Sequence, residues 1–386
     1  MRRIWILGIA IVLAVLLLAR WGLPAFVENQ LNRVTPHAPW VVSEEAQALH
    51  QNLLIADLHA DPLLWQRDWL QRSARGHTDL PRFQDGGVTL QVFTAVTQSP
   101  SGQNYESNEA GSDTITYLAI AQGWPISTWT HPSERALYQA KRLAEWDERG
   151  GEQFQIVENQ QDLWELITLR ASGKWAVGGI FGIEGAHALE GRIENLDRLE
   201  ALGLRVIGLT HFFDNRVGGS LHGVSHEGLT PFGQELIVEA SRRRMIIDVA
   251  HASPQMVRDV LELSKRPVIL SHGGFKGLCD TARNLEDELM IELAQQGALI
   301  GVGFWDGAVC DTSPEGVARA IQYGIDLLGV DHIALGSDYD GATEVAFDSS
   351  ELSILTEHLL QLGLSPNEIR LVMGENAIRF FLEQLP

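Results

Sequence analysis

The sequence predicts an α/β protein: a (β/α)8 TIM-type barrel preceded by an N-terminal membrane-anchor helix. Three observations predict it. Short apolar runs recur at about 53–57, 88–96, 176–183, 205–210, 245–250, 267–271, 298–305 and 332–337. Helical patterns with clear start signals separate them. Residues able to do chemistry gather at one end of these runs. Alternation of strand and helix implies parallel strands joined by crossovers, and eight of them suggest a closed barrel rather than an open sheet.

Taken in order, the chain opens on a segment unlike the rest. Arg2 and Arg3 precede an uncharged, mostly aliphatic block, Ile4–Ala19. Such a block is a secretory signal or a membrane anchor. Its length is only ~24 Å at ~1.5 Å per residue, short of a ~30 Å hydrocarbon core. Continuation through Trp21, Leu23 and Phe26, with Arg20 snorkelling, supplies the rest. Leu23-Pro24-Ala25 is a poor cleavage motif, so residues 1–27 are expected to remain as a transmembrane anchor. The two arginines then place the bulk of the chain on the extracytoplasmic, periplasmic side. Residues 28–42 are polar and read as a linker. Residues 43–386 show no further linker and read as one domain.

Within that domain the helices announce their starts. "TPFGQELIVEASRR" (230–243), "SPQMVRDVLELSK" (253–265) and "SPEGVARAIQYGIDLLG" (313–329) each open on a hydroxyl residue followed by proline. The last stops at Gly329. The long interval 97–175 carries two or more helices and reads as an insertion. Arg and Lys number 29 against 50 Asp and Glu, a net charge of −21. That excludes a nucleic-acid partner, which needs clustered cations, and suits a soluble, self-repelling surface. Cys279 and Cys310 are too few for a disulfide scaffold; one bridge and two free thiols are both open.

The first strand ends in "LLIADLHADPLLW" (53–65). Alternation points His59 and Asp61 the same way, from a strand's C-terminal end. In such a barrel chemistry collects at those ends. The third run ends in Glu184, the fourth in His211, the fifth in His251, the sixth in His272 and the eighth in Asp338. Four of the 13 histidines therefore share one class of position with three carboxylates. Scattered, hydrogen-bonded histidines would not sort this way, so a metal site is expected. Imidazole and carboxylate without thiolate suit Zn²⁺, Mn²⁺, Co²⁺ or Fe²⁺.

The candidates exceed what one tetrahedral ion needs. Two ions require a bridging anion, and none of Lys141, Lys174, Lys265 and Lys276 ends a strand to serve as a carbamate. Glu184 can bridge instead. The first site would be His59, Asp61 and Glu184; the second Glu184, His251 and His272. A hydroxide held between the two cations would be the nucleophile. His211 can hold the oxyanion, and Asp338 can carry the proton to a leaving amine. Either could instead be a ligand. His187, His222 and His226 read as loop or supporting residues, Asp57 receives no role, and Asp340 either orients the Asp338 loop or caps a turn.

Residues 43–386 resemble the membrane (renal) dipeptidases, dinuclear zinc enzymes on a (β/α)8 barrel. The resemblance rests on "DLHAD", "GIEGAH", "GLTHFFDN", "GLTPFG", "DVAHAS", "PVILSH", "TARNLED", "GSDYDG" and "VMGENAIRFF", in that order. It implies two Zn²⁺ per chain bridged by Glu184, with the ligands and the roles of His211 and Asp338 given above. It also implies that Arg283 binds the substrate's free carboxylate; from the residues alone Arg283 would be a surface arginine. The chain departs from the family at Ala60, where members often carry asparagine, but that side chain points away from the metals. It departs again in "VGFWDGAVC" (302–310), where relatives place a tyrosine nearby.

The expectation is a membrane-anchored zinc dipeptidase hydrolysing dipeptides, C-terminal D-residues included. The rivals are a barrel metallohydrolase of another amide, lactam or lactone, and a non-catalytic membrane-tethered binding protein. The complete ligand set argues against the last. A homodimer is left open.

Overall fold

The computed structural model describes residues 22–386. Eight strands close into a barrel: β1 (Ile55–Ala60), β2 (Val88–Val96), β3 (Val177–Glu184), β4 (Leu204–Gly208), β5 (Ile246–Asp248), β6 (Ile269–Gly273), β7 (Leu299–Val302) and β8 (Ile333–Leu335). Every neighbouring pair is parallel. The ring closes where Leu335 of β8 lies opposite Asp57 of β1. β2 and β3 pair from Leu90–Gly178 to Val96–Glu184.

The apolar runs and the strands coincide in place but not always in length. β5, β7 and β8 stop short of the runs that predict them. Beyond β5 and β8 the chain leaves extended geometry to form the functional loops. His251, Asp338 and Asp340 all sit at positive φ, 61°, 59° and 64°, a conformation that costs energy in any residue but glycine.

Among the described residues, three short strands lie outside the eight. Phe154–Ile156 runs beside the start of β3, inside the region read as a helical insertion. That region also holds helices Ile115–Gln122, Pro132–Gly150 and Gln160–Ala171. Arg33–Val34 pairs with Glu344–Val345, so the stretch read as a linker is seated on the barrel. The expected caps form: the side chains of Thr230, Ser253 and Ser313 accept from the backbone N–H groups of Gly233, Met256 and Gly316.

β1 and β2 are buried at every residue, as parallel strands covered on both faces must be. Alternation divides β1. Ala56 and Leu58 join the apolar layer of Ala377, Ile378 and Phe381 on the C-terminal helix Asn376–Gln384. Asp57 and His59 face the barrel interior. Asp57, to which the sequence assigns nothing, accepts from the backbone N–H groups of His59 and Ser337 at 2.9 and 3.2 Å. It thereby ties the ends of β1 and β8 together. Cys279 and Cys310 are joined by a disulfide, linking the loops after β6 and β7. Among the described residues no helix is long and apolar enough to cross a membrane. Of the expected anchor, residues 1–27, the apolar block Ile4–Ala19 lies outside the described residues, while residues 22–27 belong to a helix, 22–31, whose Val27 packs against the barrel.

Candidate metal centre and substrate pocket

The strand ends bring the donors to one place, around Glu184. His59 Nε2 lies 3.4 Å from Asp61 Oδ2 and 3.5 Å from Glu184 Oε1. The same Glu184 oxygen is 3.3 Å from His251 Nε2 and 3.4 Å from His272 Nε2. Ligands held ~2.0–2.1 Å from a tetrahedral ion stand ~3.3 Å from one another. These spacings suit donors that could share cations. All five residues are buried. Burial and the neighbouring Asp61 push the Glu184 carboxyl well above its usual range. Burial opposes charge on His59, yet Asp61 and Glu184 outweigh it and push that imidazole up to about 10. A pocket with this surplus of negative charge attracts a cation.

Two residues that the sequence reading missed set the histidine tautomers. Ser271 Oγ lies 2.6 Å from Asp248 Oδ2, 2.8 Å from His272 Nδ1 and 3.2 Å from His59 Nδ1. An ionised carboxylate only accepts, so the hydroxyl donates to Asp248 and its lone pairs take an N–H from each imidazole. With a cation in place of the second proton of His59, both histidines would present lone pairs at Nε2, the form a metal requires. The other Asp248 oxygen accepts from the backbone of Ser271 and Ala250 at 2.9 and 3.0 Å, so Asp248 acts from behind the donors. Burial, chiefly, holds His251 and His272 well below the usual histidine range, keeping them neutral. Thr94 donates to Asp61 in the same supporting manner.

His211 Nε2 stands 3.3 Å from the second Glu184 oxygen, and its Nδ1 is 3.3 Å from the Gln98 carbonyl. Burial lowers it to about 4, so it is neutral at ordinary pH. It lies within ligand range of Glu184 and His251, and the position serves a ligand or a donor to substrate. Asp338 Oδ1 is 4.0 Å from His59 Nε2, and burial raises its carboxyl. Asp340 anchors the loop that carries it. Asp340 pairs with Arg67 and accepts from Thr78 Oγ1 at 2.6 Å and from the His77 N–H at 2.7 Å.

Arg283 is buried, not superficial. Its Nη2 donates to the His272 carbonyl at 2.7 Å, and its guanidinium lies 5.3 Å from the Trp305 ring. Its Nε has no partner within the protein. With Asp61, Glu184, His211, His251 and Asp338 it lines one cavity of about 220 Å³. The insertion adds Tyr105 to that wall, whose hydroxyl accepts from Trp305 Nε1 at 2.8 Å. No pattern in the sequence marks Tyr105, because a loop delivers it. His222 donates from Nδ1 to the Tyr105 carbonyl at 2.8 Å, and His187 pairs with Thr97 at 2.9 Å, so both support loops.

A parallel barrel that gathers these imidazoles and carboxylates at its strand ends has the architecture of a metal-dependent hydrolase. The sequence model described as membrane dipeptidase (peptidase family M19) matches residues 43–384, and the chain belongs to that family. Similar proteins include dipeptidase verJ of Clonostachys rogersoniana, 30% identical over 78% of this chain and 74% of the relative. Dipeptidase 3 of Macaca fascicularis is 29% identical over 79% of this chain, which spans only 64% of that relative's length. Among solved structures, the metallo peptidase dipeptidase AC is 26% identical with a TM-score of 0.70, covering 86% of this chain and 98% of its own. A metallo peptidase of Rhodobacter sphaeroides, liganded with a phosphinate mimic of L-Ala-D-Ala, shares the fold at 24% identity. Its TM-score is 0.69, over 86% of this chain and 99% of its own.

Proposed function

We propose that the protein is a zinc dipeptidase, exported and held at the membrane by its N-terminal segment. The observation that carries the reading is the buried Arg283 guanidinium in the same small cavity as the donor cluster. A free carboxylate clamped there would hold a short substrate with its scissile carbonyl turned toward the donors. His59, Asp61 and Glu184 would hold one cation, and Glu184, His251 and His272 the other. Bound divalent cations would acidify a water and polarise the carbonyl. Arg283 orients the substrate through its C-terminal carboxylate. His211 would donate from Nε2 toward the carbonyl oxygen in the tautomer that releases the Gln98 carbonyl, and Asp338 would move the proton to the leaving amine. The disulfide supports export, since such bonds persist in oxidising compartments.

The test is a panel of L,L- and L,D-dipeptides, tripeptides and C-terminal amides, offered to the purified protein before and after chelation. Free dipeptides should be cleaved in preference to the others. Chelation should abolish turnover and zinc should restore it. A metal-replete protein that cleaves amides or lactones but no dipeptide would belong to the wider class of barrel hydrolases.

A further inference from the structure

The helix that precedes the family domain reaches the substrate pocket. Residues 22–31 are helical, and the family match begins only at residue 43. Val27 and Leu31 line the same cavity as Arg283 and Glu184. Val27 packs on a buried apolar cluster that contains Leu64, Trp65 and Ile115. The helix is fastened at several points. Glu28 is 1% exposed and pairs with Arg75 at 2.5 Å and with Arg67 at 3.4 Å. Arg67 in turn pairs with Asp340, two residues from Asp338. Asn32 Oδ1 accepts from the Ala342 N–H at 2.8 Å. A buried carboxylate between two arginines is a costly device for a spacer; it fits an element whose position matters.

We infer that this helix forms the apolar wall of the pocket and, through Val27 and Leu31, selects dipeptides with an apolar side chain on the amino side of the scissile bond. The assignment rests on the dipeptidase reading. Arg283 fixes the carboxylate beside β6 and Trp305. The apolar wall stands over the ends of β1 and β8, where Leu64 and Trp65 follow Asp61 and where Gly341, Ala342 and Thr343 follow Asp338, while Arg283 follows β6. A substrate stretched from Arg283 across Glu184 therefore presents its amino-terminal residue to that wall.

The experiment uses the full chain and compares kcat/KM for Leu-Ala and Gly-Ala, which differ only in that side chain. Leu31→Ser, at a half-exposed position that tolerates the change, should lower the Leu-Ala/Gly-Ala ratio about threefold. Val27→Ser combined with Leu31→Ser should lower it roughly tenfold or more, tenfold being the low end of what one methylene is worth in an apolar subsite. Phe26→Ser, on the exposed side of the same helix, should leave both rates at the wild-type level. A merely structural role would lower both substrates in proportion and leave the ratio unmoved, which would overturn the inference. Wild-type protein that cleaves neither dipeptide would overturn the dipeptidase reading itself; cleavage of both with an unmoved ratio would overturn only the wall.

Discussion

Ser271 donates its hydroxyl proton to Asp248 across 2.6 Å, and that bond decides which nitrogen of two histidines is free to bind a metal. His59 and His272 both give their Nδ1–H to the same oxygen. With neither residue touching a cation, Ser271→Ala and Asp248→Asn should each weaken zinc binding by about 10–100-fold. Chelator competition measures it, with circular dichroism as a check that the fold is kept. Zinc affinity equal to wild type in both variants would show that the tautomers are set elsewhere.

Gly341 lies against the Asp338 side chain. A Cβ there would come within 1.9 Å of Asp338 Oδ1. Gly341→Ala must therefore displace the carboxylate while leaving the metal donors alone. A shift of about 1 Å in a reacting group can cost on the order of 100-fold in rate. The expected result is a kcat lower by about that factor at full zinc content. Unchanged kcat would remove Asp338 from proton transfer.

The barrel was legible in the sequence because its signals are local. Each apolar run, each Ser-Pro or Thr-Pro helix start and each strand-end histidine can be read without knowing what it meets. Asp248 and Ser271 were not legible: an aspartate inside "IIDVAH" and a serine before a histidine have many ordinary uses, and only closure of the ring brings them together. Arg283 was legible by resemblance alone, since nothing in "TARNLED" says that its guanidinium turns inward under Trp305. The role of residues 28–42 was hidden for another reason. A polar stretch reads as a spacer, and the buried pairing of Glu28 with Arg67 and Arg75 depends on residues 39 and 47 positions away.

His50 makes a prediction far from the metal donors. Its Nδ1 is 2.8 Å from Thr356 Oγ1 and its Nε2 3.1 Å from the Gly86 carbonyl. Burial lowers it to about 4, against the opposing hydrogen bond to Gly86. In the unfolded chain the imidazole takes up its proton near pH 6.5. Between about pH 6.5 and 4 the unfolded state thus binds more protons, so stability is fully present above that window and falls as the pH drops through it. The loss from this one residue is up to about 3 kcal/mol. Urea unfolding in excess chelator, at pH 7.5 and pH 5, should show a smaller pH effect in His50→Gln than in the wild type. Identical pH effects would mean that other buried histidines account for the whole acid response.

Arg283 supplies the sharpest division between a dipeptidase and a general amide hydrolase. Its guanidinium is buried, stacked on Trp305 and tethered by one N–H to the His272 carbonyl, with Nε unpartnered. A free carboxylate would satisfy it through a charge-assisted contact that lysine cannot copy. Arg283→Ala should therefore reduce kcat/KM on a free dipeptide by about 2–4 kcal/mol of transition-state binding, the usual cost of losing a desolvated charged partner. Zinc content should hold, because Arg283 contributes no atom to either set of donors. Wild type should discriminate against the same dipeptide amidated at its C-terminus, and the variant should largely lose that discrimination. The two substitutions, of residue and of carboxylate, form a double cycle whose coupling energy isolates the contact. Equal cleavage of acid and amide by the wild type would remove the clamp, and the site would then be one that hydrolyses amides without regard to a neighbouring charge.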